Sequence, residues 1–131
     1  MSRTPATLGL LLCEQIIVEE HTRNLTLVNC FTRRTGRSFP TEPIPFIVFA
    51  LLTNGQGSTP LEVAVYGMDD FEEIYRRGTT VTFNSPVQIV RCVLRVGDCS
   101  FPSPGPYQVV LLSGEDILAQ RLLIIDEAPA T

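Results

Sequence analysis

Apolar and polar residues alternate with a period of two along most of this chain. Residues 8–18, LGLLLCEQIIV, put Leu8, Leu10, Leu12, Ile16 and Val18 on one parity, interrupted by Glu14. The other parity carries Gly9, Leu11, Cys13, Gln15 and Ile17. This predicts a long first strand whose start is covered on both faces or bulged. A helix is the rival reading for so short a run, but the β-branched Ile16-Ile17-Val18 and the polar stretch 19–24 behind it favour a strand. Residues 25–31, LTLVNCF, alternate again, and the two segments read as a hairpin. Residues 32–43 hold Arg33, Arg34, Gly36, Arg37, Pro40 and Pro43 and read as a loop. Pro45 then opens FIVFALLT at 46–53, almost continuously apolar, as a central strand is.

Asn54-Gly55 with Gly57 gives a hairpin-type turn. In LEVAVY, residues 61–66, Leu61, Val63 and Val65 face a core and Glu62, Ala64 and Tyr66 face out. Residues 68–77, MDDFEEIYRR, read as a loop or a short helical turn, and 79–83 as a short strand. Residues 87–96 form a strand with Arg91 and Arg95 opposite the Cys92 face. Pro102, Pro104, Gly105 and Pro106 make a stiff, non-helical approach to the last two strands. Tyr107, Val109 and Leu111 share one face, 113–116 turn the chain, and 117–125 run back. A strand pair this apolar needs a second layer. About eight strands with regular turn signals indicate an all-β, immunoglobulin-like antiparallel sandwich. It is one domain over residues 1–131, with at most one short helix near 69–77 and with 1–6 and 126–131 expected to fray. An α/β fold needs longer helices between strands, and 68–77 is too short to supply one.

Composition sharpens this picture. Hydrophobic residues make up 44% and charged residues 18% of the chain, against a usual charged share of about 25%. Few charges remain to cover the surface, so strands are buried on both faces or an apolar patch meets a partner. A net charge of −4 argues against a nucleic-acid partner. All ten basic residues are Arg, which fits GC-rich coding and leaves no lysine for Schiff-base chemistry. Cys13, Cys30, Cys92 and Cys99 form no C-x-x-C pair and share the chain with one His, so no structural zinc is expected. Cys92 and Cys99 pair only if a turn intervenes. Free thiols in a reducing, cytoplasmic setting are the expectation. The run before Cys13 superficially suggests a lipoprotein leader. It is too short, one Arg precedes it, and Leu12 stands where a small residue belongs, so export is not expected. No apolar run approaches a membrane span of ~18 residues.

Three stretches carry a resemblance. The first is LLCEQIIVEEHTRNLTLVNCF, with a Leu-rich strand, Cys13-Glu14, a polar turn and a second strand ending in Phe31. The second runs from Phe39-Pro40 into the apolar strand ending at Thr53. The third is FPSPGPYQVVLLSGEDILAQRLLI, a Phe-Pro-x-Pro-Gly-x-Tyr corner followed by a Gly-Glu turn. Together they resemble an uncharacterised family of small bacterial single-domain proteins, a domain-of-unknown-function family, over most of residues 8–125. The resemblance implies an immunoglobulin-like sandwich and no activity. The chain departs from it at Glu115-Asp116, where one acid is usual, and at Asn29-Cys30, where Gly is common.

Candidate chemistry is sparse. Tyr107, with Pro104 and Gly105, reads as a structural corner whose ring packs inside and whose hydroxyl bonds nearby backbone. His21 is the single histidine and sits in a polar turn beside Glu19 and Glu20, and no G-x-S-x-G elbow accompanies it. Arg33, Arg34 and Arg37 form the best candidate for partner or anion binding, since clustered guanidiniums clamp carboxylates and phosphates. The bland alternative is a charged loop balancing an acidic protein. Asp69, Asp70, Glu72 and Glu73 could take a hard cation. They lack EF-hand spacing, and Glu72–Arg76 and Glu73–Arg77 could pair on a helical turn instead. Asn24-Leu25-Thr26 matches the glycosylation pattern, which recurs by chance. Gly55 and Gly57 are turn glycines, without the Lys a phosphate loop needs. With no catalytic residues, metal or cofactor indicated, the sequence points to a non-enzymatic interaction or scaffold module. Its partner is a protein or a second copy, giving a homo-oligomer through edge or sheet pairing. No membrane partner is expected. The alternative is a small-anion or cation-binding domain using the 33–37 Arg loop or the 69–73 acidic loop.

Overall fold

The computed structural model describes residues 4–129. Ten strands form there: β1 (Ala6–Cys13), β2 (Gln15–Val18), β3 (Leu25–Val28), β4 (Arg33–Gly36), β5 (Phe46–Thr53), β6 (Gly57–Gly67), β7 (Glu73–Phe83), β8 (Val90–Val96), β9 (Gly105–Ser113) and β10 (Asp116–Glu127). A small sheet has the order β1-β5-β8, a larger one β4-β10-β9-β6-β7, and β2-β3 is a separate hairpin. The period-two pattern explains the stacking. Leu10, Leu12, Val48, Leu52 and Leu94 from the small sheet share one core with Leu61, Val63, Val109, Leu111 and Leu123 from the large one. The fold is thus the expected all-β sandwich.

An arginine clips each open seam between the sheets. Arg77 on β7 donates from Nη1 to the Arg95 carbonyl of β8 at 2.5 Å. Arg121 on β10 donates from Nε to the Leu10 carbonyl of β1 at 2.6 Å. Each guanidinium satisfies an acceptor that an edge strand would otherwise offer to another chain.

The β2–β3 hairpin folds back over part of the outer face of the small sheet, and the register shows how. Arg91 pairs with Leu51, and Leu51 with Gly9. Arg91 therefore lies four residues, about 13 Å, back from the end of β1 at Cys13. Yet Arg91 Nη1 donates to the Arg23 carbonyl in the hairpin turn, at 2.6 Å. A hairpin continuing straight on from β1 could not reach it, so the hairpin must fold back. The bend lies where Glu14 leaves the ladder and Asn29 takes a positive φ of 54°. Asn29 Nδ2 donates to the Glu14 carboxylate across the bend. Asn tolerates this left-handed conformation, as the more usual Gly would. Beneath the hairpin, Ile47 and Phe49 are buried although they face away from the main core.

The observed strands correct the sequence reading in five places. The long first strand is split at Glu14 into β1 and β2. The loop around Arg33 contains β4, which pairs in parallel with Ile124–Glu127 of β10, so the large sheet is not wholly antiparallel. Its RRTG sequence shows no apolar alternation because backbone pairing at an edge carries it. Residues 73–77 belong to strand β7, not to a helical turn. The turn at Asn54–Gly57 is no hairpin, since β5 and β6 lie in different sheets. Asp126 and Glu127 do not fray, because they pair with Thr35 and Gly36. Met1, Ser2, Arg3, Ala130 and Thr131 of the expected tails lie outside the described residues.

Candidate functional site

The corner is built as a structural unit. Gly105 has φ +139°, a conformation that favours glycine, and this aims Tyr107 inward. The Tyr107 hydroxyl donates to the Ser103 carbonyl at 2.6 Å and accepts from the Ser103 amide at 3.3 Å. Its ring meets Phe101 edge-on at 4.9 Å and 73°. Pro104 stays exposed. Replacing Tyr107 with Phe is expected to cost about 0.5–1.5 kcal/mol, the usual net worth of such a hydrogen bond. Urea titration at fixed pH reads this directly, and an unchanged midpoint would show the hydroxyl to be idle.

The three arginines do not converge. Successive strand residues point to opposite faces, so β4 sends Arg33 and Arg34 apart. Arg33 Nη1 reaches both carboxylate oxygens of Asp126 at 2.9 Å. Arg34 stacks over the Phe31 ring at 4.6 Å and donates weakly to the Pro45 carbonyl at 3.4 Å. Arg37, beyond the strand, lines a hollow of about 340 Å3 with Ser38, Thr41 and Glu42. A three-pronged clamp is therefore absent from this arrangement.

Two of the four acids, Asp70 and Glu73, are committed within the fold. Asp70 Oδ1 accepts from the Glu72 amide at 3.0 Å and closes the turn. Glu73 Oε1 takes two bonds from Arg76, at 2.9 Å from Nε and 2.7 Å from Nη2. Arg76 also bonds Glu62 at 3.1 Å and the Tyr66 hydroxyl at 2.7 Å. The Arg76 hydrogen bonds hold Glu73 below the usual carboxylate range. This network lies beside a small apolar island of Ala64, Val110 and Leu112 on the outer face of the large sheet. The helical pairs Glu72–Arg76 and Glu73–Arg77 do not form, because this stretch is extended. Among the described residues, no group of three or more His, Cys, Asp or Glu is placed to hold a metal ion. His21 sits exposed in the β2–β3 turn, where Glu19 accepts from the His21 amide at 2.8 Å.

The β1–β10 seam is a feature that no single stretch of sequence announces. The Thr4 hydroxyl bonds Asp116 at 3.3 Å, and Arg121 bonds Leu10 farther along, so the two strands run side by side in the same direction. β4 covers only the last residues of β10, so the edge before Ile124 lacks that cover. Leu11 on β1 and Leu122 on β10 come together at this seam, exposed by 39% and 43%. The groove between them, of about 170 Å3, is lined by Leu11, Leu12, Cys30, Phe31, Thr32, Arg121 and Leu122. The double parity of apolar residues in 8–13 was the only sequence signal for it.

A family model described as a Family of unknown function (DUF6941) matches residues 8–126. The chain belongs to that family. This family member has no match among curated proteins. Among solved structures it is similar to an immunoglobulin-like protein from Pseudomonas aeruginosa, at 13% identity and a TM-score of 0.46, over 94% of this chain and 97% of that one. No helix among the described residues is long and apolar enough to cross a membrane.

Proposed function

We propose that this DUF6941 member is a non-enzymatic protein-interaction module that meets its partner along the β1–β10 seam. The supporting observation is the mostly apolar groove of Leu11, Leu12, Phe31 and Leu122 beside a partly uncovered strand edge. Exposed apolar grooves mark interaction surfaces, and an uncovered edge accepts an extended segment. The arrangement of the polar residues fits the same reading. Arg33, Arg34, Glu73 and Asp70 are engaged within the fold, and His21 stands exposed in a turn. The buried thiols Cys13, Cys92 and Cys99 fit a reducing, cytoplasmic setting. The partner is another protein or a second copy.

The test is a photo-crosslinking residue at position 122 in the full chain, expressed in its native cell. A discrete cross-linked species is expected, either with itself or with one other protein. The same probe at Val87, exposed just before β8, the strand at the opposite edge of the small sheet from β1, should give none. Equal labelling at 122 and 87, or none at 122, would refute the seam as the contact surface.

A further inference from the structure

We propose that Cys13 and Cys30 form a reversible disulfide that locks the folded-back hairpin onto β1. Two backbone hydrogen bonds bracket the pair: the Leu12 carbonyl accepts from the Phe31 amide at 3.1 Å, and the Val28 carbonyl accepts from the Glu14 amide at 3.1 Å. Between those bonds lie Cys13 on one segment and Asn29-Cys30 on the other. Leu12 is in the core and Phe31 packs against it, edge-on to Phe46 at 6.1 Å. Their neighbours Cys13 and Cys30 therefore turn together to the opposite, outer side. Two residues opposing one make a bulge here; opposed residues on regular neighbouring strands have Cα atoms about 4.5–5.5 Å apart, near the about 4.4–6.8 Å that a disulfide spans. The two thiols also sense each other: burial raises the Cys13 pKa first, and Cys30 raises it further.

Their exposure divides the labour. Cys30 is exposed and Cys13 is buried, and both are free thiols. A small-molecule disulfide is the oxidant the site can take. The Cys30 thiolate attacks one sulfur of that disulfide, forming a mixed disulfide and releasing one small thiolate. The Cys13 thiolate then attacks the Cys30 sulfur, forming the Cys13–Cys30 bond and releasing the second small thiolate. The two protons lost by the cysteines end on the two released thiolates. Two protein thiols are oxidised and one small disulfide is reduced to two thiols. The loop so closed holds all of β2 and β3, the elements that shield Ile47 and Phe49.

The test treats the reduced full chain with oxidised glutathione under native conditions, followed by acid quenching and peptide mass mapping. The expected product links Cys13 to Cys30 with loss of two hydrogens. Cys13→Ala should stop at a stable Cys30–glutathione adduct, and Cys30→Ser should leave Cys13 unmodified. Amide exchange in β2 and β3 should slow in the oxidised chain. The proposal is overturned if the wild-type chain accumulates the Cys30 adduct as Cys13→Ala does, or ends as a Cys30-linked dimer. Linkage through Cys92 or Cys99, or a disulfide that leaves hairpin exchange unchanged, would overturn it equally. The wild-type result stands on its own should either variant fold poorly.

Discussion

Phe101→Ala is expected to destabilise the chain by about 3–5 kcal/mol, the range for removing a fully buried Phe. Phe101 lies between β8 and β9, where surface-loop substitutions usually change stability little. Here the side chain is completely buried. Its ring packs edge-on against Tyr107, and its amide donates to the Thr41 hydroxyl at 2.9 Å. The Thr41 amide returns a bond to the Phe101 carbonyl at 2.9 Å. The loop is therefore fastened at both its backbone and its ring, so it has little freedom to collapse into the cavity left by Ala. Since a small domain holds only about 5–15 kcal/mol in total, the variant should unfold at a much lower urea concentration. A shift corresponding to less than about 1 kcal/mol would mean the corner is an ornament and not a keystone of the core.

Gly55→Ala is expected to cost about 1–3 kcal/mol, as overpacking a tight core does. A Cβ built on Gly55 would stand 2.4 Å from the Cδ1 and Cε1 atoms of Phe83. Phe83 is itself in the core, so its ring cannot swing away into solvent. The contact forms because the turn after β5 carries the chain across to the other sheet and brings Gly55 under the end of β7. Gly9→Ala is the matched control, since a Cβ there meets nothing within 4 Å. It should stay within about 0.5 kcal/mol of the parent. Shortening the ring with Phe83→Leu should make Gly55→Ala less costly, a coupling expected of residues in contact. Equal losses at Gly9 and Gly55 would show that the Phe83 ring does not set the cost.

These two sites mark how far the sequence could be read. The alternation of Leu61, Val63 and Val65 and of Tyr107, Val109 and Leu111 stated which faces meet, because a half-buried strand writes its orientation into every second residue. The corner was legible for a similar reason: Pro and Gly restrict the backbone locally, and a Tyr behind them has few places to go. β4 was illegible because its faces are polar on both sides and its pairing is with a strand some ninety positions away. The hairpin's return over Ile47 and Phe49 was hidden in one left-handed Asn29 and one Glu14. The seam was hidden for the same distance reason. Leu11 and Leu122 look like ordinary strand residues until the fold sets β1 beside β10. The arginine cluster misled in the other direction, since adjacency in sequence becomes opposition in space once the residues occupy a strand.

The most direct measurement is hydroxyl-radical footprinting of the full chain, purified and dilute, compared with the chain in its native cell. Leu11 and Leu122 should be oxidised readily in the purified protein and shielded in the cell, while Phe71 and Val87, exposed elsewhere, react alike in both. Unshielded Leu11 and Leu122 in the cell would contradict the reading of β1 and β10 as a surface kept for a partner.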